Sequence, residues 1–213
     1  MGFALLGILR SWSVAGFPNI TEYLRVGNMS KSFRRIVTGH DDKGVAIVAS
    51  DTNPPEQRPM GPNGPRFFEV WNTSGAPAAI DRFSVDPPVA GLVLTPPVRG
   101  TRIRVNEFPP ESAQDSSPDT AEALKQFENI GGANAFTGGH GSDRHALMHR
   151  TSTIDYGIVL EGEITLILDE DETVVKAGDI VIQRGTNHAW ANRGTTNCRI
   201  AFILVDGQFE DGL

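Results

Sequence analysis

The sequence has one cysteine, no long apolar run and no concentration of positive charge, and each of these lacks removes a class of protein. Cys198 alone cannot close an intramolecular disulfide, which excludes a disulfide-stapled scaffold and suits a reducing compartment. It lies in the alternating stretch Cys198-Arg-Ile-Ala-Phe-Ile-Leu-Val and reads as core rather than nucleophile. No stretch approaches the roughly 18 apolar residues that span a bilayer. The apolar start Met1-Gly-Phe-Ala-Leu-Leu-Gly-Ile-Leu has no basic segment ahead of it and meets Arg10, so a cytoplasmic protein with no membrane partner is expected. The 19 Lys and Arg are scattered among 26 Asp and Glu, for a net charge of -7, and form no stripe that would track a phosphate backbone. Nucleic acid is not an expected partner.

What is present is the composition of a folded domain: 39% apolar and 21% charged over 213 residues, enough chain for one full core. Residues 1–33 read as an N-terminal extension, either a helix that packs on a neighbouring subunit or a tail, and residues 34–213 as one domain. Short strand signals begin at Arg35-Ile-Val-Thr, Val45-Ala-Ile-Val-Ala-Ser and Phe67-Phe-Glu-Val-Trp-Asn, each bounded by Gly, Pro, Asn or Asp. Arg102-Ile-Arg-Val-Asn-Glu-Phe alternates cleanly, with Ile103 and Val105 on one side, the arginines and Asn106 on the other, and one face expected to be buried. An insertion over 110–142 carries Thr120-Ala-Glu-Ala-Leu-Lys-Gln-Phe-Glu-Asn, a short helix with Thr120 as its expected N-cap, and is placed to act as a lid. From Ile158 onward turns recur every 8 to 12 residues, which argues an all-β antiparallel barrel or jelly roll.

The stretch His149-Arg-Thr-Ser-Thr-Ile-Asp155-Tyr-Gly-Ile-Val-Leu-Glu-Gly162, followed by Gly178-Asp-Ile-Val-Ile-Gln-Arg-Gly185-Thr-Asn-His188-Ala-Trp-Ala-Asn192, resembles the two sequence motifs of the cupin family. The resemblance implies a cupin double-stranded β-helix, a jelly-roll barrel with an N-terminal extension and a short helical insertion, whose core motifs span 145–192. With Gly162 fixing the frame, it places His149 at the family's first histidine, Thr151 at the second, Asp155 at the glutamate and His188 at the last ligand. Four customary ligands become three. Similar cupins of natural-product pathways imply a decarboxylase or oxidoreductase for an aromatic or polyketide-like acid, and barrels of this kind commonly pair as homodimers.

The residues make chemical sense of that pattern. If 149, 151 and 153 share one face of a strand and a turn brings Asp155 onto the next, two imidazoles and a carboxylate converge inside the barrel. Such a donor set at His149, Asp155 and His188 suits a divalent Fe, Mn, Zn or Ni ion with positions open for substrate. Without an ion, the same groups can move protons in a dehydratase, isomerase or cyclase; without turnover, the pocket is a small-ligand-binding module. His145 is a spare donor. Arg150 and Arg104 are candidates to pair a substrate carboxylate, with Thr151, Tyr156, Gln183 and Trp190 as further substrate contacts.

Overall fold

Alternating side chains punctuated by Gly, Pro and Asp commit most of the chain to short strands. In the computed structural model, the described residues are 33–58, 60–61, 63–81, 91–114, 119–138 and 144–213. Of the expected extension over 1–33, residues 1–32 lie outside them. The strands are β1 (Arg35–His40), β2 (Ala46–Thr52), β3 (Glu56–Gln57), β4 (Arg66–Thr73), β5 (Thr101–Phe108), β6 (Thr153–Glu161), β7 (Glu163–Ile167), β8 (Glu172–Lys176), β9 (Ile180–Arg184), β10 (Ala189–Ala191) and β11 (Cys198–Asp206). Among the described residues a single α-helix, α1 (Thr120–Asn129), stands in the insertion. Its N-cap is Asp119, not Thr120: the Asp119 carboxylate accepts from the Glu122 amide at 2.9 Å, as an aspartate ahead of the first turn does readily. No helix of the described residues is long and apolar enough to cross a membrane.

The strands form a six-stranded sheet in the order β3-β4-β5-β11-β6-β9, a three-stranded sheet β10-β7-β8 and the β1-β2 ribbon. All the pairings are antiparallel. Apolar side chains from both larger sheets meet between them: Val159 of β6 and Ile200, Phe202 and Leu204 of β11 pack with Ile164 of β7 and Val175 of β8. This two-layer, mostly β architecture with one short helix is that of a jelly-roll barrel. Cys198 is fully buried there, and burial pushes its thiol up to about 12, as befits core. Helix α1 buries Ala123 and Phe127 against Phe67 and Phe136 and so walls one end of the barrel.

On β5 Arg102, Arg104 and Asn106 lie on the cavity side, each nearly fully buried, while on the opposite face Val105 is buried as well and Ile103 is partly buried. The reason is the partner across the sheet, because Glu69 of β4 is buried beside both arginines and offsets their charge. Alternation showed that the faces differ. Which one faces the cavity was decided by this pairing.

Between β6 and β7 the chain reverses at Gly162, whose φ of +74° is in the left-handed region. A Cβ there would stand 2.5 Å from the Asn197 carbonyl oxygen. Gly162→Ala is therefore expected to lower stability by about 2 kcal/mol or more, through both backbone strain and that clash. Urea unfolding followed by circular dichroism checks it; an unchanged midpoint would remove Gly162 as the determinant of this turn.

Candidate active site

The site is organised by a two-residue β-bridge. The His149 amide donates to the His188 carbonyl and the His188 amide to the His149 carbonyl, each at 2.9 Å. This pairing sets the two imidazoles side by side, with ring centroids 4.3 Å apart and planes tilted by 45°. Each Nδ1 faces a backbone carbonyl at 3.0 Å, Leu147 for His149 and Thr186 for His188. A carbonyl only accepts, so each Nδ1 carries the proton and donates it, which leaves the lone pair on Nε2. No described residue bonds to either Nε2. Burial holds both imidazoles below their ordinary basicity, His188 well below because His149 adds its charge. Both are thus neutral near neutral pH.

Around them is a cavity of about 310 Å³, the size of a small-molecule site. One side is apolar, with Phe67 of β4, Leu94, Leu147, and Phe127 and Ile130 from the helical insertion; Trp190, Phe202 and Leu204 add barrel core. The other side carries Arg104, Asn106, Thr151, Asp155 and the two histidines. Three buried polar atoms of that lining, Arg104 Nε, Asn106 Oδ1 and Asp155 Oδ1, have no hydrogen-bond partner among the described residues. Buried polar atoms are rarely left so, and their convergence on one cavity marks a place for a ligand. Asp155 points inward from β6, where burial raises its carboxyl from the ordinary 3.8 to about 6, against the lowering effects of the Thr153 hydroxyl and the Arg104 charge.

Of the residues singled out from sequence, His149, His188, Asp155, Thr151, Trp190 and Arg104 line this cavity. Tyr156, Arg150 and Gln183 do not. Tyr156 alternates with Asp155 on β6 and so lies on the outer face, 41% exposed. Arg150 stacks its guanidinium over the Phe209 ring at 4.1 Å while its Nε donates to the Gly185 carbonyl, which pins the C-terminal segment. Gln183 spends its amide on Thr186, bracing the turn that carries His188. Sequence reading passed over Glu69, Asn106 and Phe127. The only signal for them was an acid on β4 and an arginine pair on β5 with matching inward parity.

The donor set fits an ion in orientation but not in number. Nδ1 anchored to a carbonyl with Nε2 free is the posture of a metal-ligating histidine. Yet among the described residues no group of three or more His, Cys, Asp or Glu stands close enough to hold an ion, so the expected three-donor face is not assembled. The cause is that no turn separates Thr153 from Asp155. Both lie in β6, where Asp155 pairs with Gln183, well before the loop that presents His188. His145 does not fill the gap, because its Nε2 is 2.9 Å from a Glu111 carboxylate oxygen at the rim.

Asp155 binds its proton more tightly folded than unfolded, so the stability this gives is present below about pH 4 and is lost as pH rises through about 6. The lowered imidazoles act oppositely, favouring the fold above their ordinary 6.5 and less as pH falls. Replacing Asp155 by Asn isolates the first effect. The stability of Asp155→Asn relative to the parent is expected to rise by up to about 3 kcal/mol between pH 4 and pH 8, the value of that displacement of the carboxyl. Thermal melts of both proteins across this range check it, and a difference that stays flat would contradict burial as the cause.

Comparison with known proteins agrees with the fold. The Cupin_2 family, a cupin domain, matches residues 136–205, which include both histidines and Asp155. "Phomopsin biosynthesis cluster protein C'" of Diaporthe leptostromiformis is 30% identical over 182 residues, covering 82% of this chain and 78% of that protein. "Cupin-domain-containing oxidoreductase srdD" of Neurospora crassa is 44% identical over 63 residues, 28% of this chain and 32% of its own length. Among solved structures, an RmlC-like cupin family protein with a double-stranded β-helix fold from Methanocaldococcus jannaschii superposes with a TM-score of 0.32 at 13% identity, over 50% of this chain and 70% of that one. The matched domain holds the histidine bridge, and the full-length relative shares most of both chains: this protein belongs to the cupin family.

Proposed function

We propose that this cupin is an enzyme of secondary metabolism, a decarboxylase or oxidoreductase that works on a small aromatic or polyketide-like acid held in the barrel. Relatives named for biosynthesis clusters and as cupin-domain oxidoreductases support the setting. The observation that carries the chemistry is the pair of bare Nε2 lone pairs, side by side in a cavity and flanked by Phe127 and Trp190. Two such acceptors attract a cation or a proton-bearing group of the substrate.

In the first case His149 and His188 would hold a divalent first-row ion, which supplies Lewis acidity toward a substrate oxygen when bound. The Leu147 and Thr186 carbonyls keep both rings in the ligating tautomer. Asp155 holds a proton near pH 6 and can exchange it with the substrate. From the insertion, Phe127 and Ile130 give the cavity apolar lining that a substrate's apolar body can displace water from. The lack of a third nearby donor favours a second reading, in which the neutral imidazoles accept protons directly and Asp155 returns one, as in a dehydratase or isomerase.

Metal analysis of the full chain purified without chelator separates the two. The first reading expects about one first-row divalent ion per chain, and a Co²⁺ titration followed by absorption to weaken at least about 100-fold in both His149→Ala and His188→Ala. Metal-free protein that neither takes up Co²⁺ nor changes on histidine substitution would eliminate it. Retained turnover would then assign acid-base chemistry, and ligand stabilisation without turnover a binding module.

A further inference from the structure

The β4-β5 pair buries three ions behind the polar side of the cavity, and they do not balance. Arg102 Nη1 donates to Glu69 Oε2 at 2.9 Å, and Arg104 Nη2 lies 3.1 Å from Glu69 Oε1. One carboxylate thus serves two guanidiniums, and all three side chains are nearly fully buried. Arg102 is completed by the Thr95 carbonyl, which accepts from its Nε at 3.2 Å. Arg104 is less fully served. Its Nη2 reaches the Val93 carbonyl, but its contact with Glu69 Oε1 is not aligned as a hydrogen bond, and its Nε has no acceptor among the described residues. The fourth charged group within reach, Asp155, acts on Arg104 through its field alone, with no ion pair or hydrogen bond between them. Desolvation lowers Arg104 only to about 10, so it remains a cation. A buried cation that shares its one paired carboxylate with a second guanidinium, and that lines a cavity, can take an anion there.

We propose that Arg104, positioned by Glu69 and Arg102, is the seat for an oxyanion, and that the cavity takes a monocarboxylate whose apolar body lies against Phe67, Phe127 and Leu147. This rests on reading the cavity as a substrate site. Among the described residues Arg104 is the only arginine or lysine lining it, and Asn106, one inward position along β5, offers a second polar group to the same oxygens or to a hydroxyl beside them. A planar fork of donors suits a carboxylate. Arg102 does not touch the ligand. It takes up part of the Glu69 charge, and that share leaves Arg104 in electrostatic excess. The site therefore selects by charge at one end and by apolar fit at the other.

The test compares benzoate with its neutral isostere benzamide by calorimetric titration of the full chain after chelator treatment. Benzoate is expected to bind at least about tenfold tighter. Arg104→Gln should erase that preference while benzamide affinity stays within about twofold, and Arg104→Lys should restore part of it. Arg102→Met should reduce the benzoate-to-benzamide ratio without moving benzamide, which a merely structural role would not do. Benzamide binding and a cooperative melt report the fold of each variant. The double variant His149→Ala/His188→Ala should keep the preference, so failure of the imidazole chemistry leaves this result intact. The proposal is overturned if the parent protein binds benzoate no better than benzamide, including binding neither. It is equally overturned if Arg104→Gln retains the preference or the histidine double variant loses it.

Discussion

The reciprocal pair of backbone hydrogen bonds between His149 and His188 is the constraint on which the site depends. It joins the segment leaving the helical insertion to the loop between β9 and β10, two parts of the chain nearly forty residues apart. A bridge of this kind fixes the two Cα atoms at a non-negotiable spacing. The rings then have little freedom left, since each Nδ1 is tied to a carbonyl two residues back. Four hydrogen bonds to main chain thereby orient two Nε2 atoms into an enclosed space, and no side chain is needed to hold them there. Thr151, at the position where the family's second histidine falls, bonds instead to Thr153 at 2.8 Å and belongs to the scaffold of β6.

Around this bridge the barrel sorts polarity by element. The insertion and β4 supply aromatic and aliphatic wall; β5 and β6 supply charge. Burying guanidiniums inside a barrel is costly unless a carboxylate accompanies them, and Glu69 is that companion. A second cluster of arginines around a carboxylate stands at the far end of β5. There Glu107, almost wholly buried, accepts from Arg66 and Arg199 at 2.9 Å each and from Asn197 at 3.1 Å. Of the two clusters, the one around Glu107 ties strands together and the one around Glu69 borders the cavity.

The all-β architecture, the helix over 120–129 and the inward position of Asp155 were legible because each is a local pattern: alternation, a polar residue before an apolar repeat, and a fixed count back from Gly162. Other features were not. Tyr156 reads as a pocket aromatic until parity on β6 sends it outside, and Arg150 reads as an anion binder until Phe209, remote in sequence, takes its guanidinium. The inward face of β5 was left open for the same reason. Alternation distinguishes two faces but assigns neither, and only Glu69 across the sheet lets the arginine face line the cavity.

By itself the sequence determined the class of fold, the family motifs and the two histidines at their core, since hydrophobic period, turn residues and motif spacing are written along the chain. Tertiary structure decided what those histidines can do. It set them ring beside ring with free Nε2 atoms, withheld Asp155 from their immediate reach by running it along one straight strand, and brought in a buried cation from β5. Distances between side chains on different strands depend on register and on which buried charges find partners, and neither is encoded at any single position.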